Sequence, residues 1–122
     1  MPDDPLSLQT PLGRVSISRE AVAQIVGHTV AECYGVVGTS PAARAPARVK
    51  RLLARARPTL GIAVGGEGDT LTLDLRVVVE HGLNLAEVAA TIRSRVGYEV
   101  ERLTGLRVAS IDIHIEDVRQ SA

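Results

Sequence analysis

The chain has 122 residues, and its 14 basic and 14 acidic side chains give a formal net charge of zero. This balance argues against a protein that binds polyanions over its whole surface. Phe and Trp are absent and only two Tyr are present, so stacking on nucleic-acid bases is nearly excluded and the core must be aliphatic. The single cysteine, Cys33, excludes an internal disulfide and suits a reducing cytoplasm.

The sequence also lacks the segments that insert into or cross a membrane. No apolar run approaches the roughly 18 residues of a transmembrane helix. The first residues lack the basic start and the apolar centre of a signal peptide. We therefore expect one cytoplasmic domain that is not itself a membrane protein.

The first third of the chain predicts a tail, a short strand and a helix. Three prolines within residues 1–12 indicate a flexible tail that adds little to the core. Val15 and Ile17 then predict a short strand, and Ser18 is placed to cap a helix that ends near Gly35. The residues that recur at helical spacing, and that we expect to be buried, are Val22, Ile25, Val26, Thr29, Val30 and Cys33.

A basic segment occupies the middle of the chain. Residues 39–46 predict a loop, and the apolar spacing that follows predicts a short amphipathic helix that stops at Pro58. Six cations and no acid lie between Cys33 and Gly66, namely Arg44, Arg48, Lys50, Arg51, Arg55 and Arg57. Such a segment is a candidate contact for anionic lipid headgroups, for an acidic partner or for nucleic acid. The alternative interpretation is a solvated helix face.

The second half of the chain predicts a hairpin, a long helix and a final strand. Leucine, isoleucine and valine alternate over residues 60–64 and again over residues 71–79, with a long polar loop at residues 65–69 between them. In the second strand we expect Leu71, Leu73, Leu75, Val77 and Val79 to face inward, and Thr72, Asp74, Arg76, Val78 and Glu80 to face outward. The final strand should place Ile111, Ile113 and Ile115 inward and Ser110, Asp112, His114 and Glu116 outward.

The long helix has clear start and stop signals. Asn84 at the N-cap and Glu87 at N3 resemble a capping box, and Gly105 followed by Leu106 predicts a Schellman ending in which Leu106 packs on Leu103. The expected buried stripe consists of Leu85, Val88, Ile92, Val96, Val100 and Leu103.

Together these elements predict an α+β domain with a small mixed β-sheet. Their order is strand, helix, short helix, hairpin, long helix and strand, with the helices packed on one face and a right-handed crossover before the last strand. The domain should span residues 13–118, with tails at residues 1–12 and 119–122.

No set of side chains predicts catalysis, a cofactor or a metal. Cys33 and His28 lie five positions apart on one helix and diverge by about 140°, so we expect a buried structural cysteine. The three histidines lack metal-ligand spacing, and the glycines at residues 65–68 have neither the lysine nor the following helix of a phosphate-binding loop. The outward carboxylates Asp74, Asp112 and Glu116 lie beside Arg76 and His114, which predicts cross-strand charge pairs.

The segment Gly35-Val36-Val37-Gly38 admits two interpretations. Its place after a helix resembles the Gly-x-x-Gly clamp of the KH nucleic-acid domain. Valines in the central pair suit contact with a sugar-phosphate backbone poorly, and a helix C-terminal glycine followed by a turn explains the pattern more simply. Binding of nucleic acid is therefore the less favoured alternative.

Several segments, in this order, resemble the alkaline-shock-protein-twenty-three family of bacterial envelope stress proteins. They are Gly13-Arg14-Val15-Ser16-Ile17-Ser18, Gly35-Val36-Val37-Gly38, Val77-Val78-Val79-Glu80-His81-Gly82-Leu83-Asn84 with Glu87-Val88-Ala89, Thr104-Gly105-Leu106, and Ile111-Asp112-Ile113-His114-Ile115. The resemblance covers residues 13–118. The chain departs from the family pattern at His81, where a tyrosine is expected, and in the arginine-rich residues 39–58.

The resemblance implies a non-enzymatic protein of the envelope stress response. It would lie in the cytoplasm at the inner face of the cell membrane, held there by a small integral membrane anchor protein, and it would self-associate as a scaffold or adaptor. Alternatives are a KH-like RNA-binding module and an adaptor that regulates a lipid or fatty-acid enzyme.

Overall fold

The structure is a computed structural model that describes residues 5–39 and 61–120. The predicted short helix and the six cations of the basic segment lie outside these residues. The described elements are β1 (Leu6–Thr10), β2 (Gly13–Ile17), α1 (Arg19–Ala31), β3 (Val36–Thr39), β4 (Ile62–Glu67), β5 (Thr70–Glu80), α2 (Leu85–Thr104) and β6 (Arg107–Arg119). The predicted α+β class is confirmed.

β5 is the central strand of a mixed sheet. β6 pairs with it in parallel along one edge. On the other edge, β4 pairs with its first half and β3 with Val77, Val78 and Val79, both antiparallel. The parallel pairing of β5 and β6 is possible because α2 carries the chain back over the sheet between them.

The core lies between this sheet and the two helices. Six residues of α1 and four of α2 are buried, and the inward side of β5 is fully enclosed. The cluster contains Leu6, Val22, Val26, Val30, Cys33, Leu71, Leu73, Leu75, Val77, Val79, Val88, Ile92, Val96, Val100, Leu106 and Ile111. Each buried Val, Leu or Ile contributes roughly 1.5–3 kcal/mol relative to an exposed side chain. An aliphatic core thus forms without Phe or Trp, as the composition predicted.

Both helices begin at the predicted caps. The side-chain oxygen of Ser18 accepts a hydrogen bond from the Ala21 N–H at 3.0 Å, and that of Asn84 accepts one from the Glu87 N–H at 3.1 Å. These bonds satisfy amides that have no partner within the helix. α1 ends at Ala31, earlier than predicted.

The end of α2 differs from the predicted Schellman ending. Gly105 has a φ of 77°, and its N–H donates to the Glu101 carbonyl at 2.9 Å. The Leu106 N–H donates instead to the hydroxyl of Thr104 at 3.0 Å. This single backbone bond is the αL form of helix ending. It turns Leu106 into the core, where it is buried, rather than onto Leu103.

Part of the predicted N-terminal tail is structured. β1 and β2 form a two-stranded antiparallel sheet in which Leu6 pairs with Ile17, and Leu6 is 0% exposed. The Ser7 N–H also donates to the Gly68 carbonyl at 2.9 Å, which ties the hairpin to the β4–β5 turn. The prediction that residues 1–12 add little to the core is therefore wrong for β1.

Three side chains depart from the predicted burial. Leu85 and Leu103 are 39% and 53% exposed because they lie at the two ends of α2, beyond the buried stripe. Val78 lies on the outward face of β5 but is fully buried, between Gly38 of β3 and Asp117 of β6. The outward sheet face is therefore not uniformly polar.

The β4–β5 hairpin is tighter than predicted. β4 continues to Glu67, and Glu67 pairs with Thr70, which leaves a turn of Gly68 and Asp69 in place of a long loop. Gly66 has a φ of 107°, and a Cβ there would lie 2.6 Å from the Leu71 Cα. Glycine lets the strand continue at a point where any side chain would clash.

The Gly35-Val36-Val37-Gly38 segment is neither the predicted turn nor a clamp. Its residues from Val36 onward form β3, with Val36 opposite Val79 and Gly38 opposite Val78. A strand within the sheet cannot serve as the exposed loop that a KH clamp requires. This observation removes the basis of the KH interpretation.

Candidate interaction surfaces

The basic segment of Arg44, Arg48, Lys50, Arg51, Arg55 and Arg57 lies outside the described residues. Its role as a contact for an anionic surface or an acidic partner stays a prediction. The described residues present three other features: a charged outward sheet face, a cleft between the helices and the outer edge of β6.

The outward face of the sheet carries the predicted cross-strand charge pairs. Arg76 on β5 donates to the Glu116 carboxylate on β6 at 2.8 Å. The Nε2 of His114 lies 3.2 Å from the Asp74 carboxylate. Both pairs are diagonal, since the register places Arg76 opposite His114 and Asp74 opposite Asp112, so the expected pairing of Asp112 with a basic side chain directly across is not seen. Because these side chains are partly exposed and bound to each other, they stabilise the face only weakly.

A cleft of about 310 Å³ separates α1 from α2. The Arg95 guanidinium crosses it to the Glu32 carboxylate and also reaches the Glu32 carbonyl, both at 3.3 Å. The Arg102 guanidinium donates to Glu99 at 2.7 Å and thereby lowers the pKa of that carboxyl. The cleft is lined by Ile25, His28, Thr29, Glu32, Arg95, Glu99 and Leu103. Both carboxylates of the cleft are thus bound by arginines of α2.

Cys33 is the buried structural cysteine that was predicted. Its side chain is 4% exposed, and its thiol donates to the Thr29 carbonyl at 3.4 Å. Burial raises the pKa of the Cys33 thiol, which disfavours the reactive thiolate. His28 is exposed, so the two side chains occupy different environments.

Among the described strands, β6 forms one edge of the sheet, and its backbone direction follows from its neighbours. The Arg76 N–H donates to the Gly61 carbonyl on the β4 side of β5. Backbone groups alternate along a strand, so the odd-numbered residues of β5, such as Leu73 and Leu75, bond to β6. In the parallel register, Leu73 lies opposite Ile111 and Leu75 lies opposite Ile113. In a parallel pair, such a residue bonds to the two neighbours of the residue opposite it, and not to that residue itself. The N–H and C=O groups of Ile111, Ile113 and Ile115 therefore point away from the sheet.

Helix α2 covers only the first part of this edge. The Glu101 carboxylate accepts from the Val108 N–H at 2.9 Å, and the Arg93 guanidinium donates to the Ile111 carbonyl at 3.3 Å. Near the other end, the Val118 N–H donates to the side chain of Asp117 at 2.9 Å. Among the described residues, no side chain bonds the outward backbone groups of Ile113 and Ile115. We call Ile111 to Ile115 the open edge.

The roles of Arg93 and Glu101 were not predicted from the sequence. Helical spacing places both outside the buried stripe of α2, but it shows only which side chains avoid the core and not which strand they approach. Their partners depend on β6 lying at the edge of the sheet, which is a property of the topology.

Metal binding and membrane crossing concern the described residues as a group. No three or more His, Cys, Asp or Glu side chains in residues 5–39 and 61–120 come together in a way that could hold a metal ion. Neither described helix combines the length and the apolarity that crossing a membrane requires.

The described structure is that of a small α+β domain with two helices on one sheet face and paired charges on the other. The chain belongs to the alkaline-shock-protein-twenty-three family, which has a cell envelope-related function; the family profile matches residues 7–120. The resemblance inferred from the sequence motifs is thus confirmed. The match begins within β1, which agrees with the observed strand there.

Individual relatives agree with this assignment. The chain is 30% identical to the uncharacterized protein YloU of Bacillus subtilis over 93% of this chain and 95% of that protein. It is 23% identical to the uncharacterized protein Spy1614 of Streptococcus pyogenes over 93% and 94% of the two chains. It is also 26% identical to the uncharacterized protein YqhY of Bacillus subtilis over 90% and 80%. No solved structure gives a significant match.

Proposed function

We propose that this protein is a non-enzymatic scaffold or adaptor of the cell envelope that acts through protein contacts and self-association. It would lie in the cytoplasm, at the inner face of the cell membrane, where a small integral membrane protein anchors it. Family membership supports the envelope role. The open edge of β6 is the structural observation that carries the proposal, since an unpaired strand edge is a ready template for another chain.

The chemistry of the described surface supports a role without catalysis. Arg76, Glu116, Asp74 and His114 are bound in pairs across two strands, and the single thiol is buried with a raised pKa. Enzymes instead gather groups with perturbed pKa values around a site where substrate can bind. The basic segment at residues 44–57 supplies the positive charge that an acidic anchor tail or anionic lipid would recognise.

Fractionation of the native host tests the membrane role. The protein is followed through nuclease and high-salt washes of the membrane pellet, with and without extraction of integral membrane proteins. We expect it to stay with membranes after nuclease treatment and to be released when its membrane partner is extracted. Release by nuclease into a soluble RNA-bound pool would contradict the proposal.

Charge reversal tests the contribution of the basic segment. We expect replacement of Arg48, Arg51 and Arg55 by Glu to reduce membrane association, because each cation near an anionic surface adds about 1 kcal/mol. Replacement of the same three arginines by Lys keeps their positive charge and gives the matched control. Equal association of wild type and the first variant would show that this segment makes no such contact. Co-purification of a lipid or fatty-acid enzyme would favour the adaptor alternative.

A further inference from the structure

The open edge has a defined length because irregularities bound it on both sides. The register of β6 against β5 shifts between Val108 and Ser110 and again between Ile115 and Asp117. Such β-bulges terminate regular pairing. Between them, the outward backbone donors and acceptors of Ile111, Ile113 and Ile115 recur at regular spacing, and Arg93 bonds the Ile111 carbonyl. The two bulges therefore limit regular pairing along this edge to a short strand.

We infer that the open edge pairs antiparallel with the open edge of a second copy of this chain, with Ile113 opposite Ile113. This inference rests on the proposed self-association and names its surface. A two-fold axis through an antiparallel pair must place one residue opposite itself. Ile113 is the middle of the three outward residues, so this register pairs Ile111 with Ile115 of the other copy and uses all three.

Side-chain chemistry favours the same register. On the outward face it places Asp112 opposite His114 of the second copy, so that a carboxylate meets an imidazole and not a like charge. A register centred on His114 would instead oppose Asp112 and Glu116, two carboxylates, which is destabilising. On the inward face, the three isoleucines of each copy meet isoleucines. A register centred on Ile115 would run the pairing into the second bulge.

The Arg93 side chain must move for this pairing to occur. Its guanidinium occupies the Ile111 carbonyl at 3.3 Å, the acceptor that Ile115 of the second copy would use. Arg93 therefore competes with the second copy for this acceptor. Replacement of Arg93 by Ala should leave association at least as strong as in wild type.

Cysteine cross-linking in a Cys33→Ser background tests the register. Asp112→Cys and His114→Cys proteins are mixed, oxidised in a glutathione buffer and compared with each protein alone. In the inferred register these two positions face each other with Cβ atoms about 4.5–5.5 Å apart, whereas identical positions are offset by two residues and lie about 7–8 Å apart. We expect the mixture to form its disulfide about tenfold faster than either protein alone, because a disulfide needs closely spaced Cβ atoms.

Two controls exclude accidental contact. A mixture of Thr72→Cys and Asp74→Cys proteins places thiols with the same spacing on the central strand, where no second copy can pair, and should show no such acceleration. A mixture of His114→Cys and Glu116→Cys proteins reports the register centred on Ile115. Faster cross-linking in that mixture than in the Asp112 and His114 mixture would overturn the inference.

An Ile113→Pro variant gives a second test that preserves the fold. Proline removes the Ile113 N–H, which points outward and makes no bond to β5, so the sheet should still form. We expect this variant to retain a cooperative thermal transition and to sediment as a smaller species than wild type. The inference would be overturned if the Pro variant sediments at the wild-type size. It would also be overturned if the wild-type chain sediments as an oligomer but the Asp112 and His114 mixture shows no preferential cross-linking. Both outcomes would leave the proposed function standing. A wild-type chain that sediments as a monomer would contradict self-association itself.

Discussion

Leu6 and Leu12 show how differently two leucines of one hairpin contribute to stability. Leu6 is 0% exposed in the core, and Leu12 is 101% exposed at the β1–β2 turn. We expect Leu6→Ala to lower the free energy of unfolding by about 2–5 kcal/mol, since it leaves a cavity, and Leu12→Ala to change it by less than about 0.5 kcal/mol. Urea unfolding of both variants measures this. Similar values for the two would mean that β1 does not pack as described.

Cys33 should make stability depend on pH in the alkaline range. Burial raises the pKa of its thiol above the ordinary value of 9.0, an effect that nearby Arg95 partly opposes. Above that pH the unfolded chain loses the thiol proton while the folded chain keeps it, so the folded state binds more protons and stability falls as pH rises. Below it this contribution is fully present.

A Cys33→Ala variant isolates this effect from the other titrating groups. We expect its free energy of unfolding to fall less than that of wild type between a pH below 9.0 and a pH above it. Urea titrations at the two pH values give the comparison. Equal losses in the two proteins would show that the thiol ionises as readily in the folded state as in the unfolded chain.

At the scale of the elements, the start of α2 depends on one side-chain bond. The Asn84 side chain accepts from the Glu87 N–H at 3.1 Å. We expect Asn84→Ala to destabilise the protein by about 1 kcal/mol, because the amide loses its partner. Asn84→Ser restores an acceptor at the same position and should recover most of this loss. Thermal and urea unfolding measure both, and an equal loss in the Ser variant would argue against the cap.

Elements with a long buried face were predictable from their sequence pattern. Features that depend on how an element packs against its neighbours were not. β5, α2 and β6 each carry a long periodic pattern that only one face of one structure satisfies. β1 has only two inward leucines, Leu6 and Leu8, and prolines flank it. Their alternation, followed by the turn at Pro11-Leu12-Gly13, is nevertheless a pattern from which the β1–β2 hairpin could have been predicted. The exposed Leu85 and Leu103 continue the apolar stripe of α2, and periodicity cannot show where the sheet beneath the helix stops.

The interaction surfaces were predictable to a similar degree. The charge pairs of Arg76 with Glu116 and Asp74 with His114 follow from alternation on two strands. The open edge does not, because its existence depends on β6 lying outermost and on helix side chains covering only part of it. A strand pattern does not show how many neighbours the strand has.

At the scale of the whole molecule, the N-terminal hairpin is joined to the rest of the domain at several points. Leu6 lies in the core cluster, Ser7 bonds to the β4–β5 turn at Gly68, and Leu8 packs on the same cluster. We expect a chain that starts at Gly13 to lose more stability than Leu6→Ala does, because it loses these contacts and the partner of β2 together. Calorimetry of the two variants tests this. A truncated chain as stable as wild type would restore the view of residues 1–12 as a tail.

The central position of β5 has a consequence for how the protein is made. Both edges of β5 need partners, and the parallel partner, β6, is the last described element along the chain. At about 5–20 residues per second, a ribosome needs roughly 2–8 seconds to add the residues between the end of β5 and the end of β6. Throughout that interval, the apolar Leu71-to-Val79 run has one unsatisfied side, which can bind other nascent chains. The domain therefore completes its sheet only after β6 has been synthesised, and the interval before that is when a chaperone would protect it best.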